Sequence, residues 1–359
     1  MISAVAIVLV LGGLIFFHEL GHFGMARALG IGVRAFSLGF GPVLFKFRGG
    51  KTEYRLSAVP LGGYVSLAGE NPKAPASAEP DGFTPRELFF NRPAWQRMLV
   101  VAAGPFSNFL LAWLIYLCIA LTVGNSVPLP VIGKILDNTP AMEAGLQAGD
   151  RVVRLNDQQI DTWIQLQDFM TANGPGTVSV TVKRGDLTQE IDVTPKLMQR
   201  TGLDGEDQSA YLLGISPSMD AIVWQPVSLV DAVPEATDQT VKNLGLIVKN
   251  IAWIFQGRVS AKEIGGPILI AQAIGQQAEA GFADVLFLAA FISINLGLIN
   301  ILPIPVLDGG HLLFFGIEIV FRRPVSERWQ AYGTKIGLAL LLTLMLFATY
   351  NDILRVVTK

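Results

Sequence analysis

Long apolar runs, without alternation, mark both ends of the chain. From Met1 to Phe17 no charged residue occurs, and the apolar stretch continues to about Arg27. Further runs cover Met98–Val123, Val285–Leu307 and, shorter, about Lys335–Asp352. Stretches of this length and polarity predict transmembrane helices, about four in all. In the middle of the chain the period changes. Val178-Ser179-Val180-Thr181-Val182-Lys183 alternates as a half-buried strand does, and Gln189–Val193 follows it across a Gly185-Asp186 turn. Val131–Ile135 and Val152–Leu155 read as further strands, Thr162–Ala172 as a helix, and Tyr211–Ser216 as a closing strand. Asp231–Gly257 mixes apolar and polar positions and predicts a helix lying on the membrane surface.

Between the first two runs, Val43–Arg48 and Thr52–Leu56 flank Gly49-Gly50-Lys51 and predict a membrane-associated β-hairpin. Gly39-Phe40-Gly41-Pro42 and Leu61-Gly62-Gly63-Tyr64 bracket it as breakers. The hairpin is either a plain scaffold or an edge strand that holds an extended peptide. Asn71–Pro85, rich in Pro, Ala and Ser, reads as a surface stretch, and Phe83–Trp95 as an amphipathic interfacial helix.

Composition agrees with a membrane protein that carries some soluble mass: 51% of residues are hydrophobic and only 16% charged. The start lacks a basic region and a clear cleavage site, so it is expected to stay as a span. Charge gives orientation. Ala26–Arg97 holds ten Lys+Arg against five Asp+Glu, whereas 124–282 holds eleven against eighteen. Short Lys/Arg-rich loops stay in the cytoplasm, so 124–282 and both termini are expected outside it. Arg322, Arg323 and Arg328 mark a second cytoplasmic loop. The lone Cys118 excludes an intrachain disulfide, and a net charge of −2 gives no sign of nucleic-acid binding.

The chemistry begins where the first apolar run ends its charge-free part, at His18-Glu19-Leu20-Gly21-His22. Four residues turn a helix by about 400°, so His18 and His22 share a face. That spacing suits two nitrogen ligands on one zinc, with Glu19 beside them as a base. Ionisable groups at membrane depth cost several kcal/mol and mark function by default. A third ligand is required. Asp308, directly after the Val285–Leu307 run, and His311 are the candidates, and Asp308 is preferred.

These features resemble the site-2 protease family of intramembrane zinc metalloproteases, and within it the bacterial regulator of sigma E protease group. The resemblance rests on Phe17–Phe23, on Gly104-Pro105-Phe106-Ser107-Asn108, on Ala144-Gly145-Leu146-Gln147-Ala148-Gly149-Asp150 and on Asn295–His311. It implies Zn2+ held by His18, His22 and Asp308, with Glu19 catalytic. It also implies that Asn295 and Asn300 hydrogen-bond an unwound substrate backbone; about 140° apart on a helix, they could equally join spans. Pro303 and Pro305 break the helix and complete the expected substrate-binding set. Gly104, Pro105 and Asn108 are read as close packing of the second span.

Ala-Gly-Leu-x-x-Gly-Asp resembles bacterial-protease PDZ domains, here over about Pro128–Pro195, acting as a peptide binder or a steric filter. The expected fold class is therefore an α-helical membrane protein with about four transmembrane helices, a β-hairpin and one extracytoplasmic PDZ (α+β) domain. The expected divisions are 1–123, 124–218 (PDZ), 219–282 (interfacial helical linker) and 283–359. The implied partners are the lipid bilayer and single-span membrane proteins already trimmed outside, such as an anti-sigma factor or a signal-peptide remnant, in a bacterial inner membrane. A non-proteolytic PDZ scaffold and an ion transporter are the competing classes. Neither needs Glu19, and the duplicated halves common in secondary transporters are not apparent.

Overall fold

The computed structural model describes residues 2–70, 82–201, 207–218, 220–258, 260 and 265–358. Most of the Asn71–Pro85 stretch, residues 71–81, lies outside the described residues. The chain divides into two compact units, Met1–Ile119 with Val233–Lys359, and Ala120–Ala232.

The first unit opens with α1 (Ile2–Ala28). Gly30, at φ 68°, ends it: Ile31 N–H reaches Ala26 C=O and Gly30 N–H reaches Arg27 C=O, the double closure of a left-handed C-terminal cap. Strands β1 (Val33–Gly49) and β2 (Thr52–Leu67) follow. They run far beyond the predicted hairpin because it is folded back on itself, so that Phe36 pairs with Val65 on one side and Tyr54 on the other. The expected glycine breakers lie inside the strands, at shifts of register. Gly39 (φ 89°) and Gly41 (φ 84°) supply the bend, and a Cβ at Gly39 would press on the Ser57 and Val59 carbonyls. Lys51, at the hairpin turn, pairs with Glu87 at 2.8 Å.

Phe83–Trp95 is not the interfacial helix expected. It forms two short 3-10 turns, Pro85–Glu87 and Phe89–Asn91, and Trp95 already belongs to the next helix. Pro85 and Pro93 withhold donors and push the residues before them into extended backbone, which prevents one continuous helix. Helix α2 covers Ala94–Thr122.

In the second unit the order is β3 (Asn125–Pro128), β4 (Ile132–Ile135), α3 (Pro140–Glu143), β5 (Arg151–Leu155), β6 (Gln158–Gln159), α4 (Trp163–Asn173), β7 (Val178–Arg184) and β8 (Leu187–Val193). Then come β9 (Lys196–Thr201), β10 (Asp207–Leu212), β11 (Ile215–Pro217) and β12 (Ile222–Gln225). The main sheet runs β6-β5-β7-β8, with β9–β10, β4–β11 and β3–β12 as separate pairs. Val178, Val180 and Val182 point inward with Leu155, Leu166 and Trp163. Thr162 caps α4 in a reciprocal pair with Gln165. The expected closing strand Tyr211–Ser216 is split at Gly214 (φ 83°) between two different partners. The 219–282 stretch, expected to be helical, includes strand β12 paired to β3.

Helix α5 (Leu229–Phe255) begins in the second unit and belongs to the first from Val233 on, followed there by α6 (Pro267–Ala280), α7 (Phe282–Ile301), α8 (Asp308–Phe321) and α9 (Glu327–Val357). Helices α1, α2, α7 and α9 are long and apolar enough to cross a membrane. The third expected span stops at Ile301, ahead of Pro303, and α9 extends beyond the expected Lys335–Asp352 at both ends.

Candidate metal centre

One turn of α1 presents His18 and His22 together, their rings 4.8 Å apart. Room for them comes from small residues on facing helices. Gly21 lies against Ala103 C=O and Ser107, and Ser107 Oγ donates to Phe17 C=O at 2.7 Å. A Cβ at Gly104 would collide with the His22 ring. Such close approach is how helices associate where no hydrophobic drive separates them from lipid.

Asp308 arrives from the far end of the chain as the first residue of α8. Between α7 and α8 the backbone is not helical. Its groups are nonetheless engaged, with Ile304 N–H on Leu302 C=O, Val306 N–H on Ile304 C=O and Leu307 N–H on Ile304 C=O. Gly309 and Gly310 have no space for a Cβ against the 301–305 backbone, and Pro305 nests on Gly333 and Gly337 of α9. Irregular backbone at membrane depth is tolerated only when satisfied and covered in this way.

His18 Nε2 and His22 Nε2 are 3.2 Å apart, and Asp308 Oδ2 lies 3.2 Å from the first and 3.5 Å from the second. Two imidazole nitrogens and a carboxylate oxygen at zinc bond lengths near 2.0–2.1 Å would, in a tetrahedron, stand about 3.3–3.4 Å apart. Oδ2 is buried and faces only the two imidazole Nε2 atoms, which is costly for a carboxylate unless a cation lies among them. The donor set and its spacing fit zinc. Among the described residues these three form the cluster able to hold a metal; His311 is outside it, with its ring set against Phe315.

Glu19 lies against β2: the position of a Cβ on Gly63 would be 3.1 Å from its Cγ. A cavity of about 470 Å³ reaches His18, Glu19, His22 and Asp308. Its wall includes polar groups that sequence reasoning passed over. Arg97 pairs with Glu318 at 2.5 Å and lies over the Phe315 ring at 4.8 Å, tying α2 to α8. The visible signal was an Arg at the start of an apolar run and a Glu inside another. Asn295 turns its amide back to Phe291 C=O at 3.0 Å on its own helix. Asn300 is half-buried near the end of α7. Neither of these, nor Pro303 or Pro305, lines the cavity. Gly104 and Asn108 do more than pack one span on another, since both touch the histidines.

Residues 6–344 match the model of peptidase family M50. The chain belongs to this family, that of the site-2 proteases. A Campylobacter jejuni protein named for a zinc metalloprotease is 38% identical, the match covering 99% of this chain and 94% of that one. The regulator of sigma-W protease RasP of Bacillus subtilis is 31% identical, with 98% of each chain covered. A PDZ domain of an SdrC-like protein from Listeria monocytogenes aligns with 25% of this chain and 87% of its own, at 20% identity and a TM-score of 0.21. As a member of M50 the chain is a zinc metalloprotease with Zn2+ as its cofactor, and its four apolar helices fit an integral membrane protein.

Proposed function

We propose that this chain is an intramembrane protease that cuts the spans of single-span membrane proteins already trimmed outside the membrane. His18, His22 and Asp308 hold the zinc, and Glu19 is the general base. The observation that carries this reading is the convergence of three ligand atoms at tetrahedral spacing beside a carboxylate, with both histidines on a helix apolar enough to cross a membrane. Bound zinc brings the acidity of a water toward neutrality. Glu19 takes the proton of the attacking water and returns it to the leaving amine, a role worth about 10²–10⁴ in rate. Close packing of β2 at Gly63 holds the carboxylate in place. The polar wall with Arg97 and Glu318 suits water entry by the 470 Å³ cavity.

A helical substrate must unwind before its carbonyls can be attacked. The 63–67 part of β2 pairs with 33–38 on one side only, and its Val65 lies next to the base. Strand addition there would extend the substrate beside Glu19. Asn295 and Asn300, with Pro303 and Pro305 fixing the turn that follows, would receive the other side of the unwound segment. The Bacillus subtilis relative is named regulator of sigma-W protease, and an anti-sigma factor or a signal-peptide remnant is the substrate class proposed for this chain.

The decisive variant is Glu19→Gln, purified with zinc content and a span-containing substrate assayed together. Zinc and melting temperature should stay as in the wild type while cleavage falls by about 10²–10⁴. Turnover near the wild-type rate would remove the assignment. The 124–218 PDZ domain is placed outside the cytoplasm of a bacterial inner membrane on the strength of the Lys/Arg asymmetry. In a Cys118→Ser background, Asp157→Cys should react with an impermeant thiol reagent outside intact cells and Lys51→Cys should not. The opposite labelling would invert the orientation.

A further inference from the structure

We infer that Asn108 is a positioning residue that fixes the tautomer of His18 for metal binding through its side-chain carbonyl. The inference rests on His18 being a zinc ligand, as proposed above. Both Nε2 atoms face the same point, 3.2 Å apart, so both must present lone pairs there and both Nδ1 atoms must carry the ring proton. For His22 the partner is unambiguous: Nδ1 lies 2.9 Å from the Val100 carbonyl, which can only accept. Among the described residues no backbone carbonyl hydrogen-bonds His18 Nδ1. This Nδ1 lies 3.2 Å from the Nδ2 end of the Asn108 carboxamide, a side chain with no exposed surface.

An amide offers an acceptor at one end and a donor at the other, and the two ends are interchangeable in shape. With Nδ2 toward the ring, Nδ1 must accept and the proton moves to Nε2, where it meets Asp308 Oδ2 at 3.2 Å. Asn108 Oδ1 is then buried without a hydrogen-bond partner. With the amide turned over, Oδ1 accepts from Nδ1–H and the Nε2 lone pair is free for the metal. The orientation with Oδ1 toward Nδ1–H is the one that zinc ligation by Nε2 requires.

The residue is held firmly enough for this work. Its backbone carbonyl accepts from Ser293 Oγ of α7 at 2.8 Å, and Ser293 is fully buried. Pro105 C=O packs against Gly297 of the same helix, while Ser107 binds α1. The 104–108 turn of α2 is therefore clamped between α1 and α7, and one turn supplies both histidines: Gly104 leaves room for His22, and Asn108 orients His18. Outer partners of this kind change metal affinity by about 10–100-fold when removed.

The test uses full-length protein in detergent. Asn108→Leu keeps the volume but loses the acceptor, and its zinc dissociation constant should rise about 10–100-fold, with kcat reduced and KM little changed. Asn108→Asp restores an acceptor and should recover most of the zinc affinity, which a packing role alone would not allow. Equal zinc affinity in Asn108→Leu and wild type, or an Asp variant as weak as the Leu variant, would overturn the inference. Should Asn108→Leu not fold, NMR of zinc-loaded wild type labelled with ¹⁵N in histidine and ¹³C in asparagine decides. His18 Nδ1 should couple across a hydrogen bond to the Asn108 side-chain carbonyl carbon, and an Nδ1 proton without that coupling would overturn the inference. His18→Ala separates the two levels of the argument. If it keeps wild-type zinc, the ligand assignment fails and the inference with it. If it loses zinc while Asn108→Leu does not, the inference fails alone.

Discussion

In the 120–232 unit, Val152, Leu155, Val180 and Val182 have no exposed surface, and the charged residues of the strands lie outside them. In the helical unit the arrangement is reversed. Leu9, Phe106 and Leu346 are each close to 70% exposed, while Asn108 and Ser293 have no exposed surface at all. Water rewards burial of apolar area at about 25 cal/mol per Å², so the sheet unit gains stability from its valines and leucines. Lipid tails offer no such gain, and helices meet instead through glycine, serine and interhelical hydrogen bonds. A buried polar residue therefore has a different meaning in each unit. In the sheet unit Asp150, fully buried, is matched by Arg184 at 2.7 Å and serves stability. In the helical unit His18, Asn108 and Ser293 are buried at or behind the metal centre, whereas Asp352 is buried at the start of α6, where it accepts from the Gly266, Ile268 and Leu269 N–H groups.

The largest effect should come from that centre. Asp308→Ala should leave purified protein without zinc after gel filtration, whereas His311→Ala should keep it; the reverse pattern, read by metal analysis, would make His311 the third ligand. A smaller effect tests the apolar side of the contrast. Leu155→Ala should lower the stability of the 120–232 unit by about 2–5 kcal/mol, seen as faster amide exchange in β7. Leu346→Ala, which removes the same side chain from an exposed site on α9, should stay within about 0.5 kcal/mol.

The mildest prediction concerns acid. Burial pushes the Asp150 carboxyl up, but the Arg184 guanidinium and the Gln147 N–H outweigh it and leave the group below its usual range. The folded value is thus the lower one. The stability this pair contributes is complete above the unfolded value of about 3.9 and is lost as pH falls through the folded value. Calorimetry of the wild type below pH 4 should show the loss, and Asp150→Asn should flatten that part of the pH dependence.

How far the sequence could be read follows the same division. His18 and His22 are local to one helix, and the alternating valines of β7 are local to one strand, so spacing alone was enough. The ends of α7 and α8 were partly legible, because Pro303 stops a helix but does not say where the chain turns next. Asn108 was not legible in its role. Its meaning depends on which of several apolar helices it faces, and no periodicity in α2 records that. The strands around Gly39 and Gly63 misled for another reason: glycine marks both turns and bulges, and only the pairing of Phe36 with two different stretches distinguishes them.

Two of the proposed ligands stand near the start of the chain and the third, Asp308, near its end, held by a turn that is itself wedged against α9 through Pro305, Gly333 and Gly337. A nascent chain leaving the ribosome carries both histidines through most of its synthesis with no carboxylate to join them. Two protein ligands fall short of the three that a catalytic zinc requires. On the proposed ligand set a chain cut short before α8 lacks the third ligand and would be inert, so cleavage would report that synthesis had reached Asp308.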